Sequence, residues 1–325
     1  MKGSVLVLGL IVFLLFGTFS VALADTLLFP VVAQNQPNVT TIISVINGGS
    51  STHLRYTYRL KETFVGGDTS QPNISGTCAT AAFTRPTFSG DLVSFDVSGV
   101  FNGGNALFSD ASAYGGTFST GGAGARRAYL LVSNSNAAGT RVDVANTTAL
   151  RGEGIIMDIS GGAAWGYRAV NDSTREDYSF INAQDGGGVY EALPDDTFNN
   201  RRFPFFPPNE WTTRFFVTPI GGNMDTAHLS ATVNLISESG SGVTDRNGTT
   251  YTFSPIDKTP TCTAAVDLSA LMDSTVWASI QATGGWTWVR VSTGDAIVFK
   301  LEYVVNNPTY GGTLNNGYLL SGWKN

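Results

Sequence analysis

Thr41-Ile42-Ile43-Ser44-Val45-Ile46 is followed at once by Asn47-Gly48-Gly49, and soon after by Leu54-Arg55-Tyr56-Thr57-Tyr58-Arg59-Leu60. Two short runs of β-branched, aromatic and alternating residues, parted by an Asn-Gly-Gly signal, read as strand, turn and strand. The same pattern recurs at residues 92–97, 128–132, 155–159, 214–217, 229–236 and 296–305. Gly66-Gly67, Asn102-Gly103-Gly104, Gly161-Gly162 and Gly221-Gly222 punctuate it. Helical periodicity is nearly absent; residues 267–272 are the one place where a short helical turn is expected, with Asp267 as its cap. The expectation is an all-β protein of sandwich-like modules.

Composition agrees. Glycine supplies 38 of 325 residues, well above the usual ~7%. Charged residues are only 14%, so exposed faces must be built from Ser, Thr, Asn and Gly, which suit turns and outward strand positions.

The first residues read as an export signal. Lys2 supplies a positive charge, residues 5–16 form a twelve-residue apolar core, and Ala22-Leu23-Ala24 gives a small-x-small cleavage pattern. The expected leader is residues 1–24, which leaves 325 − 24 = 301 residues. An apolar core of that length is shorter than the ~20 residues a membrane-spanning helix needs. No transmembrane segment is expected after cleavage, because Lys300 and Glu302 interrupt the nearest candidate. The expected address is extracellular, cell-surface or periplasmic. Without Lys2, 18 basic residues face 25 acidic ones, a net charge of −7, and no basic run exceeds two residues. That pattern argues against nucleic acid as a partner. In an oxidising compartment the two cysteines, Cys78 and Cys262, are expected to pair with each other.

The chain also matches itself. Phe29-Pro30-Val31-Val32, Thr40-Thr41-Ile42-Ile43, Asn47-Gly48-Gly49 and His53-Leu54 align with Phe203-Pro204-Phe205-Phe206, Thr212-Thr213-Arg214-Phe215, Ile220-Gly221-Gly222 and His228-Leu229. Gly161-Gly162-Ala163-Ala164-Trp165-Gly166-Tyr167-Arg168 echoes Gly284-Gly285-Trp286-Thr287-Trp288-Val289-Arg290. An internal duplication would give two tandem modules, residues 25–200 and a shorter one at 201–325, with Cys78 and Cys262 in equivalent places. The Pro-rich stretch at 201–208 marks the boundary and cannot be helical.

Residues 25–30, the strand at 40–47 and Gly162-Ala163-Ala164-Trp165-Gly166-Tyr167-Arg168-Ala169 resemble a set of exported bacterial β-rich proteins. The resemblance carries no activity over to this chain and implies export and β architecture alone.

Reactive groupings are scarce in the sequence. A hydrolytic triad needs a base beside its nucleophile, and the only imidazoles, His53 and His228, sit in expected strands beside leucine. No Gly-x-Ser-x-Gly elbow occurs. Two distant histidines and a paired cysteine set fall short of a zinc site, so no metal and no cofactor is expected. Acidic residues near 171–177 and at 195–196 lack the spacing of a calcium loop and read as solvated charges. A glycosidase needs two carboxylates about 5–10 Å apart; Glu153, Asp158, Glu191 and Glu210 are the weak candidates.

Aromatic residues are the better binding signal. Trp286 and Trp288 alternate, so a strand puts them on one face; Trp165 and Tyr167 do the same. Exposed, such pairs make a flat platform for sugar rings or an anchor for another protein. Buried, they are sandwich core, which is the commoner fate. The expected role is a non-enzymatic envelope or extracellular protein acting in structure, adhesion or assembly. Its expected partners are other envelope proteins, further copies of itself, or surface glycans. A carbohydrate- or small-ligand-binding module and a secreted hydrolase are the alternatives.

Overall fold

The computed structural model describes residues 26–34, 39–49, 52–61, 78–98, 126–140, 150–158, 163–171, 200–221, 224, 229–237, 240 and 242–304. The expected leader, His228 and the acidic groups at 172–177 and 195–196 lie outside these residues. The chain is all-β, as its turn-punctuated runs require.

The first half supplies β1 (Thr26–Gln34), β2 (Val39–Asn47), β3 (His53–Lys61), β4 (Cys78–Pro86), β5 (Asp91–Asp96), β6 (Arg126–Ser135), β7 (Leu150–Asp158), β8 (Ala163–Arg168) and β9 (Val170–Asn171). The second supplies β10 (Asn200–Phe205), β11 (Trp211–Ile220), β12 (Thr232–Ile236), β13 (Gly242–Asp245), β14 (Thr250–Thr252), β15 (Ala264–Asp267), β16 (Gly285–Thr293) and β17 (Asp295–Val304). Sheet I has the order β4-β3-β6-β1-β9, and sheet II the order β5-β2-β7-β8. Sheet III is β15-β11-β17; sheet IV is β10-β16-β13-β14, with β12 also paired to β16. All of these pairings are antiparallel.

The four sheets stack in the order II, I, III, IV. Between II and I, the Tyr56 ring meets Phe95 edge-on at 5.9 Å, and Thr41 exchanges hydrogen bonds with the backbone of Ala33. Between I and III, Thr218 donates to the carbonyl of Pro30 at 2.7 Å, and the Arg127 guanidinium lies 5.8 Å from the Phe216 ring centre. Tyr129 donates to the Met224 carbonyl across the same interface. Between III and IV, Phe203 meets Phe215 edge-on at 4.9 Å. One apolar core therefore runs from sheet II through sheet I to Phe216, Ile297, Phe299 and Leu301 of sheet III. A second lies between III and IV, around Phe203, Phe215, Val217, Val289 and Val298.

A buried ion pair fastens the outer layer. Lys300 and Glu302 on β17 lie 3.1 Å apart, with side chains 2% and 1% exposed. The ammonium also donates to the Pro204 carbonyl. The carboxylate accepts from the Phe206 amide and the Thr213 hydroxyl, each at 3.0 Å. Sheet IV is thereby bonded to sheet III through charge as well as packing. Burial lowers the Lys300 ammonium below the ordinary lysine range, against the opposing pull of Glu302.

Two helical features differ from expectation. The turn at Leu268–Leu271 is a 3-10 helix, and Asp267 stands at its cap position without a side-chain cap bond. Its carboxylate instead takes both arms of Arg214, at 2.5 and 3.0 Å. A charge-assisted bidentate pair outcompetes a single cap. The sequence reading also passed over α1 (Ser274–Ile280), where Asp273 caps the amides of Thr275 and Val276. Its β-branched and Trp residues carry little helical signal.

Five pairings recur between the halves. β1·β6, β6·β3, β3·β4, β2·β5 and β2·β7 occur in the first. β10·β16, β16·β12, β11·β15 and β11·β17 occur in the second. There the bridges Val233–Lys258 and Ser230–Thr261 stand where β3·β4 would be. Two details of the sequence alignment do not follow this correspondence. Among the described strands β8, which carries Trp165 and Tyr167, pairs only with β7, whereas β16 lies between β10 and β12 as β6 lies between β1 and β3. Shared Gly and aromatic composition, not strand position, produced that match. The cysteines are not equivalent either. Cys78 opens β4 opposite Lys61, the last residue of β3. The Cys262 amide bonds Leu229, whose counterpart Leu54 lies opposite Arg85.

Glu302→Gln removes the counter-charge and leaves the Lys300 ammonium buried. The expected loss is about 3 kcal/mol of unfolding free energy, read as a lowered urea midpoint at neutral pH. Lys300 is charged more readily in the unfolded chain than in the folded one. Its contribution to stability therefore grows as pH rises from its lowered value to the ordinary lysine value.

Candidate binding face

On β16 the inward residues Thr287, Val289 and Val291 are buried, while Trp286, Trp288, Arg290 and Ser292 face outward and are half-buried. Strict alternation along a nine-residue strand separates the two sets. Neither Trp286 nor Trp288 belongs to an apolar core. Their ring centres lie 6.3 Å apart with planes inclined at 45°. The pair is half-buried on the outer face of sheet IV. The inner side of the strand is already filled by valines.

Register sets the surroundings. Pro204, exposed, and Thr244 flank Trp286, and Arg202 on β10 and Ile236 on β12 lie opposite Trp288. One step on, Arg290 lies opposite Asn234 and donates to its side-chain oxygen at 3.2 Å. The Asn234 amide donates in turn to Asp257 at 2.7 Å. Arg290, Asn234 and Asp257 thus form one hydrogen-bonded row beside the indoles, with its positive and negative ends balanced. Thr244 and Thr250 pair their hydroxyls at 3.0 Å on the other flank.

Beyond the end of β10, Phe206, 39% exposed, lies against Trp211 with ring centres 4.6 Å apart and planes inclined at 35°. The backbone of Phe206 and Pro207 runs against Gly284, where a Cβ would fall 2.6 Å from the Phe205 carbonyl oxygen, at φ +63°. Only glycine fits that close approach. It brings the Phe206–Trp211 pair to the end of the strand that carries Trp286 and Trp288.

Tyr167 has a different fate. It is 7% exposed, donates to the Val31 carbonyl and packs on Phe299 at 5.6 Å. Its ring occupies the space left by Gly154, where a Cβ would lie 2.4 Å from it. Burial raises its hydroxyl above the ordinary tyrosine range. Tyr167 is an interlayer contact, not a platform residue. Trp165 occupies the β8 position opposite Ile156.

The remaining candidates scatter. Cys78 and Cys262 are bonded to each other. His53 meets the Thr52 hydroxyl at 3.0 Å and stands at the head of β3 between Pro86 and Ser135. Glu153 faces Arg168 across β7 and β8 on the outer face of sheet II. Glu210 lies in the turn before β11, and Asp158 ends β7. Glu191 lies outside the described residues, and among the described residues there is no group of three or more His, Cys, Asp and Glu side chains suited to a metal. No helix of the described residues is long and apolar enough to cross a membrane.

The chain matches no protein-family model, no curated protein and no solved structure.

Asn234 is buried and bonds both neighbours of the polar row. Asn234→Ala should cost about 1–2 kcal/mol of stability, measured by thermal or urea unfolding. An unchanged transition would show that Arg290 and Asp257 need no bridge.

Proposed function

We propose that this chain is an exported, non-enzymatic protein that serves outside the cytoplasm in surface structure, adhesion or assembly. The observation that carries the reading is the Cys78–Cys262 bond, which joins the start of β4 to the segment before β15 across a separation of 184 residues. Closing so long a loop stabilises by about 5 kcal/mol in chain-entropy terms. Such bonds persist in oxidising compartments and are rare in the cytosol. The leader-like residues 1–24 and the low charge agree with it.

The architecture fits a durable module. Lys61 of the first half donates to the Thr261 carbonyl and hydroxyl of the second, at 2.8 and 3.0 Å, next to the disulfide. The five recurring pairings favour descent of the two halves from one duplicated unit, which has fused its copies into a single stack. For assembly, β5 is an outer strand of sheet II among the described residues. Leu92 on it is 61% exposed, and Phe88 in the preceding turn is 75% exposed. An edge of this kind accepts a further strand.

Fractionation of cells making the full chain is the test. The expected product lies outside the cytoplasm, begins at Asp25 by mass spectrometry, and yields free thiols only after reduction. An uncleaved cytoplasmic chain with two free thiols would refute the reading.

A further inference from the structure

We propose that the outer face of sheet IV binds a neutral oligosaccharide, with Trp286 and Trp288 as the stacking surface and with Arg290 and Asp257, held by buried Asn234, as its hydroxyl-recognising border. The inference names a partner for the exported role above and rests on that role only for where the ligand would be met.

The apolar argument comes first. β16 already has a buried face of Thr287, Val289 and Val291, so the second core does not need the indoles. Two large aromatic side chains left partly in water on one strand face keep unburied apolar area, which a ligand can cover. The C–H faces of a pyranose ring are flat, apolar and of indole size. Rings inclined at 45° to one another, 6.3 Å apart, offer successive sugar rings two differently tilted surfaces, as a twisted glycan strand requires. Pro204 adds a third apolar contact beside Trp286.

The polar argument selects the ligand class. Sugar hydroxyls both donate and accept, so a site for them needs both kinds of group side by side. Arg290 donates and Asp257 accepts, while Asn234, buried beneath them, bonds both. Their mutual bonds hold these groups in place before a ligand arrives, which reduces the ordering cost of binding. Stacking platforms for single-stranded nucleic acid pair aromatics with a positively charged groove. Here the Arg290 charge is balanced by Asp257 through Asn234, and the chain as a whole is acidic. A neutral ligand fits that balance better than a polyanion.

The test is tryptophan emission and calorimetry on the purified full chain with a panel of neutral oligosaccharides: cello-, xylo-, manno-, malto-, laminari- and chito-oligomers. At least one should give a saturable emission shift and protect the indoles from acrylamide quenching. Trp286→Ala and Trp288→Ala should each weaken that ligand about tenfold or more, and Arg290→Gln by a smaller factor. Binding should be insensitive to salt. Silence across the whole panel, undiminished affinity in the Trp286→Ala/Trp288→Ala double variant, or a steep loss of affinity with salt would each overturn the proposal. Should an alanine variant fail to fold, acrylamide protection in the unaltered protein decides alone. The fractionation result is independent of this one, so failure of the ligand and failure of the exported role are separable.

Discussion

Phe215 and Phe216 are neighbours in one strand, and their rings enter different cores. That is the constraint on which the architecture depends. Successive side chains of a strand point to opposite faces, so a strand with apolar residues at both parities must be covered twice. Sheet III meets this demand by lying between sheets I and IV. Ala296 and Val298 of β17 follow Phe215 into the second core, while Ile297, Phe299 and Leu301 follow Phe216 into the first. Sheet I is in the same position: β1 and β6 are buried almost throughout, on both faces. The outcome is four layers where small domains usually have two or three.

Charge and covalent bonding reinforce this stacking at its margins. The Lys300–Glu302 pair is enclosed between III and IV and bonded to both. The disulfide and Lys61 span I and the second half near Thr261. Because the buried layers consume the apolar residues, aromatic side chains left facing outward stand out. Trp286 and Trp288 are such a case, and Tyr167, enclosed over Gly154, is the contrasting one.

Much of the secondary structure was legible because turn signals are strong and strands are short. The runs 41–46, 54–60 and 128–132, and 296–305 as far as residue 304, each fall on an observed strand, and alternation correctly put Trp286 and Trp288 on one face. Cysteine counting anticipated the disulfide. The stacking order was not anticipated, although the uninterrupted Phe215-Phe216-Val217 run carried its signal: unbroken apolarity in a strand means cover on both sides. The short helix Ser274–Ile280 was invisible because its cap, Asp273, is followed by residues that also suit strands. The polar row was illegible for another reason. Asn234, Asp257 and Arg290 are distant in sequence and meet only through the register of β12 with β16.

Because the first core is built from residues of both halves, the two unfold in one transition. Pulsed hydrogen exchange along a urea titration, read by mass spectrometry at peptide resolution, tests it most directly. Amides of β6 in sheet I and of β11 in sheet III should lose protection at the same urea concentration. Two well-separated midpoints, one for each half, would contradict the shared core.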